Sequence, residues 1–318
     1  MSNFYGQFIG FGAAEENVSA GGFVFQGTIE GYSLGGTNVS AGTIDVIDKY
    51  SFSAYQNATD VGNLTVSKGG APGTHSPTYG YVGGGGTGTG ANSGRVNVIE
   101  RLAFVSGGNS VAQTAVLLNS KTFGASASEE TFGYHMGGYA PSNTNIIQKH
   151  SMVADTDATD VGDLSENKAR ASGASSTTHG YAMGSYGHSS NVIDKVSFAS
   201  GIVSGNVAQL TVARGSSGAS STTHGYAFGG YAGHPSNYQD EIDKFSFASE
   251  GAGSDVGNTT LTGGWGSSTS STASGYTFGG DNRARVIDKV SFTSDGNATD
   301  VGDTTVHKSN MGSQGWNY

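Results

Sequence analysis

One phrase recurs about every fifty residues along this chain of 318 residues, and it constrains the fold more than any other feature. It consists of a Gly-Tyr pair, a strand-like Ile-Asp-Lys run and an Asp-Val-Gly turn, and its clearest copy runs from Gly225 to Lys244. Six copies in one order indicate a repeat architecture, in which each unit buries its apolar surface against its neighbours. They begin at Gly31, Gly80, Gly133, Gly180, Gly225 and Gly275.

Each copy contains four candidate strands. In the clearest copy they are a Ser/Thr/Ala-rich run (Gly218–Thr223), the Gly-Tyr run (Gly225–Tyr231) and the run Ile242–Ala248, with a fourth of the type Leu210-Thr211-Val212. Glycine and Asn/Ser clusters punctuate these runs, and no apolar helical period is present. The sequence therefore predicts an all-β fold, a six-bladed β-propeller with four antiparallel strands per blade. Small residues predict that the first strand is innermost, where blades crowd together.

The two ends of the chain are less regular than the repeats. We expect residues 1–19 to form an N-terminal segment used for ring closure or assembly, and residues 20–318 to form the propeller with a C-terminal closing strand. The run Gly315-Trp316-Asn317-Tyr318 is a candidate for that strand. Pairing of the two ends removes open sheet edges. A seventh, partial blade is the alternative interpretation.

Composition excludes several classes of partner. The net charge is −10, with only 13% charged residues, which argues against nucleic acid and anionic membranes. No stretch approaches 18 apolar residues, so no membrane insertion is predicted. The chain has no Cys, which excludes disulfides, thiolate nucleophiles and Cys-ligated metals. The surface is expected to be polar and weakly charged.

The recurring motifs resemble the kelch repeat. Gly-Tyr-x-x-Gly-Gly, the Ile-Asp-Lys strand and a later Arg follow the kelch order, with Arg170 and Arg214 where that Arg is expected. Val161, Val256 and Val301 replace the usual Trp of the fourth strand. The sequences Ser176–Tyr181 and Asn297–Asp303 are also similar to those of a divergent kelch-like group in marine bacteriophages.

The resemblance implies a non-enzymatic virion structural or adhesive protein, such as a tail or appendage component, located in the virion or outside cells. Its expected partners are other virion proteins or copies of itself, and a host-surface glycan. Because propellers host many unrelated functions, two alternatives stay open. One is a polysaccharide-degrading hydrolase or lyase with a site at a channel mouth, and the other is a free secreted lectin.

Aromatic side chains after the Gly-Gly pairs are the best candidates for ligand binding. Exposed Tyr rings with nearby Asn and His side chains suit sugar faces or partner proteins. The alternative is ordinary packing between blade edges. The candidate residues are Tyr139, Tyr186, Tyr231, Tyr238, His188 and His234.

No metal, cofactor or catalytic residue is predicted. His75, His179 and His224 precede the Gly-Tyr pair, and His135 follows it, so they raise the question of a shared metal at one mouth. Clustered Asp residues likewise suggest calcium. Since both residue types recur in several blades, a structural role in turns and blade-to-blade hydrogen bonds is the favoured interpretation.

Overall fold

The computed structural model describes residues 26–27, 29–38, 40–89, 93–186, 190–233, 237–282, 285–309 and 316–317. These residues form six β-sheets and no helix. Each sheet is one blade with four antiparallel strands; one of the four in blade 1 comes from residues 316–317, and the sheet of blade 4 gains a short fifth strand that pairs in parallel. The predicted all-β, six-bladed propeller is therefore confirmed. A membrane-spanning helix is also lacking in this part of the chain.

The blades are numbered in chain order. Blade 1 contains β1 (Glu30–Asn38), β2 (Gly42–Ser51) and β3 (Thr59–Asn63); blade 2 contains β4 (Gly73–His75), β5 (Tyr79–Gly83), β6 (Val98–Ala103) and β7 (Val111–Val116). Blade 3 contains β8 (Ala125–Ser128), β9 (Phe132–Ala140), β10 (Ser142–Ser151) and β11 (Thr159–Lys168). Blade 4 contains β12 (Ser172–Ser175), β13 (His179–Ser185), β14 (Ser190–Ser197) and β15 (Val203–Gln209). Blade 5 contains β16 (Gly215–Ser220), β17 (His224–Tyr231), β18 (Tyr238–Ser246) and β20 (Ser254–Asn258), with β19 (Gly251–Ala252) added to blade 4. Blade 6 contains β21 (Ser267–Ser270), β22 (Ser274–Phe278), β23 (Val286–Ser291) and β24 (Thr299–Asp303), and β25 (Trp316–Asn317) completes blade 1.

The Ser/Ala/Gly-rich strands are innermost, as expected, and they pack against one another around the axis. A backbone N–H of one blade repeatedly donates to a serine hydroxyl of the next, as from Ser128 to Ser175 Oγ (3.1 Å), Ser175 to Ser220 Oγ (2.9 Å) and Ser220 to Ser270 Oγ (2.9 Å). A Cβ on Gly173 would overlap the carbonyl oxygen of Ser126. Small side chains are therefore required where the blades approach the axis.

The fourth strand differs from the sequence prediction. The strand consists of the Asp-Val-Gly run, whereas the Leu-Thr-Val run follows it as part of the connector to the next blade. In that connector Leu210 is buried and Thr211 donates to Asp243 through both its backbone N–H (2.9 Å) and its Oγ1 (2.6 Å). In blade 3 the corresponding run remains in the sheet, since β11 extends to Lys168 although Ser165 donates to Asp194 in the same way.

A buried ion pair joins each of four connectors to the following blade. The cation lies at the end of the connector, and the acid is the middle residue of the Ile-Asp-Lys motif in the third strand. The nitrogen–oxygen distances are 2.9 Å for Lys68–Glu100, 3.9 Å for Lys168–Asp194, 3.1 Å for Arg214–Asp243 and 3.0 Å for Lys308–Asp48. The recurring acid is therefore a blade-to-blade contact, as expected. Lys168, not Arg170, is the counterpart of Arg214, so the kelch-like placement of Arg170 is wrong.

The last of these pairs joins blade 6 to blade 1 and thereby closes the ring. Thr305 donates its N–H (3.2 Å) and its hydroxyl to the same Asp48 carboxylate. Nearby, Thr37 and Ser309 exchange two backbone hydrogen bonds of 2.8 Å. Strand β25 pairs with β1 through Tyr32 and Gly31 and supplies the innermost strand of blade 1. Residues 1–19, predicted to assist closure or assembly, lie outside the described residues.

Two of the six junctions depart from this charge pattern. Between blades 5 and 6 the position of the cation is occupied by Gly263. Between blades 2 and 3 the third strand carries Gln148 in place of the acid, and the Lys121 ammonium instead donates to the carbonyl oxygens of His135 (3.0 Å) and Gly137 (2.9 Å). Burial without a close carboxylate lowers the pKa of Lys121 to about 7. The neighbouring His135 and His150 are also buried, and burial lowers the pKa of each.

We expect removal of residues 312–318 to lower the melting temperature by at least about 3 °C, because blade 1 loses its innermost strand. Thermal unfolding followed by circular dichroism measures this. Removal of Tyr318 alone is the control and leaves the described strand pairing in place. An unchanged melting temperature after the longer deletion would contradict closure by β25.

We expect Gln148→Glu to stabilise the protein most at low pH. The depressed pKa of Lys121 means that the unfolded chain holds more protons between about pH 7 and pH 10, so the wild-type penalty is largest below pH 7 and fades as pH rises. A carboxylate at position 148 restores the pair seen at Lys68 and Glu100. The melting temperature of the variant should exceed that of the wild type by roughly 3 °C at pH 6 and by less at pH 9. Equal differences at both pH values would contradict this account.

Candidate functional site

Three large side chains surround one end of the propeller axis. Phe123, Arg170 and Trp265 occupy equivalent places, each two residues before the innermost strand of blades 3, 4 and 6. Their backbones continue from blade to blade, since the Phe123 N–H donates to the Gly70 carbonyl oxygen (2.6 Å) and the Arg170 N–H donates to the Phe123 carbonyl oxygen (2.7 Å). These connectors therefore form one face around the axial mouth.

The backbone at this mouth is left-handed. The φ angles are +59° at Phe123, +56° at Arg170 and +60° at Trp265, and the equivalent Gly70 has +67°. Glycine adopts this conformation readily, whereas bulky residues adopt it at a cost on the order of 1 kcal/mol or more. Such conformations persist where surrounding contacts hold them, and they concentrate at functional sites. The strained backbone therefore makes this face a candidate binding site.

The three side chains form a stack. The Arg170 guanidinium carbon lies 4.3 Å from the Phe123 ring centroid and 4.1 Å from that of Trp265, so the cation is sandwiched between two rings. It also lies 5.5 Å from the Tyr186 ring centroid. Each such contact contributes roughly 0.5–2 kcal/mol, depending on exposure. The stack holds the guanidinium in a fixed plane.

Three tyrosines extend the stack into a platform. Tyr186 and Tyr231 lie at the ends of second strands, and Tyr238 begins the third strand of blade 5, so all three reach the same face as Trp265. Ring centroids are 5.1 Å apart for Tyr186–Tyr231, 4.9 Å for Tyr231–Tyr238, 5.2 Å for Tyr231–Trp265 and 6.3 Å for Tyr238–Trp265. We call Phe123, Arg170, Tyr186, Tyr231, Tyr238 and Trp265 the axial platform.

The depth of burial differs within the axial platform. Tyr231 is only 5% exposed and supports the other rings from below, so edge packing describes its own role. Tyr186, Tyr238 and Trp265 are partly exposed. Burial and the charge of the nearby Asp281 raise the pKa of the Tyr238 hydroxyl. The axial platform thus presents aromatic ring surfaces and phenolic hydroxyl groups beside one carboxylate.

The remaining predicted site residues lie elsewhere. Tyr139 is at the same end of blade 3 but contacts Arg95, whose guanidinium carbon is 5.3 Å from its ring centroid. His188 and His234 fall outside the described residues. Sequence reasoning missed Trp265 and the role of Arg170. The available signal was a Trp, one of only two in the chain, at the connector position where the first repeat has glycine.

The histidines considered for a metal serve different roles. His179 and His224 each lie 2.8 Å from the hydroxyl of the preceding threonine, and His75 is buried in an innermost strand. His135 Nε2 lies 3.1 Å from His150 Nδ1 inside blade 3. No group of three metal-ligating side chains occurs within the part of the chain that the structure describes.

A groove of about 280 Å³ lies at the opposite end of blade 5, lined by His224, Lys244, Glu250 and Asp295. Both carboxylates already have cationic partners: the Lys244 ammonium is 2.8 Å from Asp295, and Lys195 pairs with Glu250. The acidic groups of this groove are therefore engaged in ion pairs with neighbouring lysines. The axial platform is therefore the stronger candidate for a functional site.

Comparisons with known proteins identify no relative. No protein-family model matches the chain, and no curated protein gives a significant match. The functional argument therefore rests on the motifs and on the geometry of the axial platform.

We expect chelation to leave the melting temperature unchanged. The recurring acids bind lysine, arginine and threonine groups of neighbouring blades, so their oxygens are engaged without a metal. Thermal unfolding with and without an excess of EDTA tests this. A marked fall in EDTA, reversed by added calcium, would contradict it.

Proposed function

We propose that this protein is a non-enzymatic adhesive protein that binds a glycan through the axial platform. The observation that carries the proposal is the position of Trp265, which contacts Tyr231 and Tyr238 and stacks on Arg170 at the mouth of the axis. Strained backbone at Arg170 and Trp265 supports a role beyond packing.

A sugar suits the chemistry of this surface. Pyranose rings present apolar C–H faces that pack on aromatic rings, and their hydroxyl groups need donors and acceptors at the edge. Tyr186 and Tyr238 supply phenolic hydroxyls, and Asp281 supplies carboxylate oxygens beside Tyr238. A rigid ring of blades holds these groups in fixed positions, which lowers the entropic cost of binding.

We further propose a role in a virion, as a kelch-like tail or appendage component. This proposal is supported by the kelch-like order of the motifs and by the similarity of the repeat sequences to those of the bacteriophage group. In such a particle the protein contacts copies of itself or other virion proteins, and the axial platform faces a host surface outside the cell. The low content of charged residues, 13%, favours assembly because charge normally keeps free proteins apart.

We expect Trp265→Ala to weaken glycan binding by about tenfold or more, because truncation of a central aromatic anchor costs about 2 kcal/mol at typical interfaces. An array of neutral and acidic oligosaccharides first identifies the glycans that the wild-type protein binds. The affinities of the wild type and the variants for these glycans are then measured by calorimetry. Tyr139→Ala is the matched control, since Tyr139 lies at the same end of the propeller outside the axial platform.

Two results would contradict the proposal. One is unchanged affinity of Trp265→Ala for every glycan that the wild type binds. The other is steady release of shorter oligosaccharides by the wild type, which would favour the polysaccharide-degrading alternative.

A further inference from the structure

The Arg170 guanidinium is held in place without using its hydrogen-bond donors. It donates no hydrogen bond to any residue in the described part of the chain, and its Nη1 is buried without a partner. No carboxylate among those residues lies within ion-pair distance of it. Arg214 offers the contrast, because its guanidinium bonds Asp243 and the carbonyl oxygens of Gly229 (2.7 Å) and Glu241 (3.3 Å). Arg214 therefore stabilises the fold through its hydrogen bonds, whereas the hydrogen-bond donors of Arg170 are held in position without acceptors among the described residues.

A second donor beside it is also unused. The Trp265 Nε1 is buried and has no hydrogen-bond partner in the same described residues. Its ring centroid is 4.1 Å from the Arg170 guanidinium carbon, so the two donors belong to neighbouring groups. A buried donor without a partner destabilises the folded protein because it has lost its hydrogen bonds to water. An acceptor supplied by a ligand would remove that destabilisation.

The stacked geometry selects the kind of acceptor. Two aromatic ring centroids lie within 4.3 Å of the guanidinium carbon, and contacts of this kind leave the N–H groups at the guanidinium edge for hydrogen bonds. That edge carries parallel N–H groups that match the two oxygens of a carboxylate. Burial lowers the pKa of Arg170, but an arginine still carries its charge at any physiological pH.

We propose that the axial platform binds a carboxylated saccharide, with the ligand carboxylate on Arg170 and Trp265 and its sugar ring on the adjacent aromatic rings. This inference rests on the proposed glycan-binding function and specifies the ligand class. The chain's net charge of −10 does not oppose it, because charges beyond about 10 Å are screened at physiological salt. The Asp281 carboxylate interacts electrostatically with both Arg170 and Tyr238, so it is the acid that a ligand carboxylate would approach at the axial platform.

The test compares ligands that differ only in charge. Trigalacturonate is measured against its methyl ester, and 3′-sialyllactose against lactose, by calorimetry with the wild-type protein. A Trp316→Phe background leaves Trp265 as the sole tryptophan, so its fluorescence reports binding at the axial platform. An acidic peptide is included as a carboxylate that lacks a sugar ring.

The variants are Arg170→Gln, which removes the charge, and Arg170→Lys, which keeps the charge without the planar edge. Arg95→Gln is the control, since Arg95 also lies over a tyrosine at this end of the propeller but outside the axial platform. Circular dichroism confirms that each variant is folded. We expect at least one acid to bind at least about tenfold more tightly than its neutral partner, with the difference lost in Arg170→Gln and mostly lost in Arg170→Lys.

Other outcomes overturn the inference in distinguishable ways. Equal binding of acid and neutral partners, or acid binding that survives Arg170→Gln, contradicts the carboxylate site and leaves glycan binding intact. Binding of the acidic peptide but of no sugar contradicts both the saccharide class and the glycan-binding proposal. Failure of both acids to bind contradicts the inference, while binding of other glycans on the array keeps the proposed function.

Discussion

The buried ion pair between a connector and the next blade is the contact on which this structure depends. It recurs at four junctions, and at the junction of blades 6 and 1 it also closes the ring. Buried pairs add little net stability compared with apolar packing, but a pair that loses one partner costs about 3–5 kcal/mol. Their effect is therefore to fix geometry. A connector that slips by one residue would leave its cation buried without an acid.

This fixed geometry also places the binding candidate. Gly70, Phe123 and Arg170 each follow the buried lysine of their connector by two residues, and Trp265 follows Gly263, at the lysine's position, by the same interval. Gly70, Phe123, Arg170 and Trp265 all have a left-handed backbone conformation, whereas Ser216, two residues after Arg214, lies in strand β16. The repeat thus uses one backbone position in two ways. Glycine there leaves the mouth open, and Phe, Arg or Trp builds the axial platform.

Much of the fold could be predicted from the sequence because the same strand-forming motifs recur in every repeat. Six copies of Gly-Tyr and Ile-Asp-Lys predict six blades, and small residues in the first run predict the innermost strand. The Leu-Thr-Val run was misassigned because its β-branched residues have strand propensity, whereas in the structure it lies in the connector, where Thr211 donates to Asp243.

The site was less predictable, since it depends on contacts between blades that no local pattern encodes. Tyr186, Tyr231 and Tyr238 were recognised by their place after the Gly-Gly pair, and the ring brings these three together. Tyr139 has the same local pattern but a different neighbour, Arg95. Trp265 and Arg170 were not among the predicted site residues because a positive φ at a bulky residue leaves no mark in sequence.

Hydrogen–deuterium exchange with and without saturating carboxylated oligosaccharide tests the central claim most directly, because it locates the bound face without any mutation. The account predicts slower exchange confined to residues near 122–125, 169–172, 231–233, 237–238 and 264–266, which surround the axial mouth. Protection centred on the opposite face, around His224, Glu250 and Asp295, would contradict it.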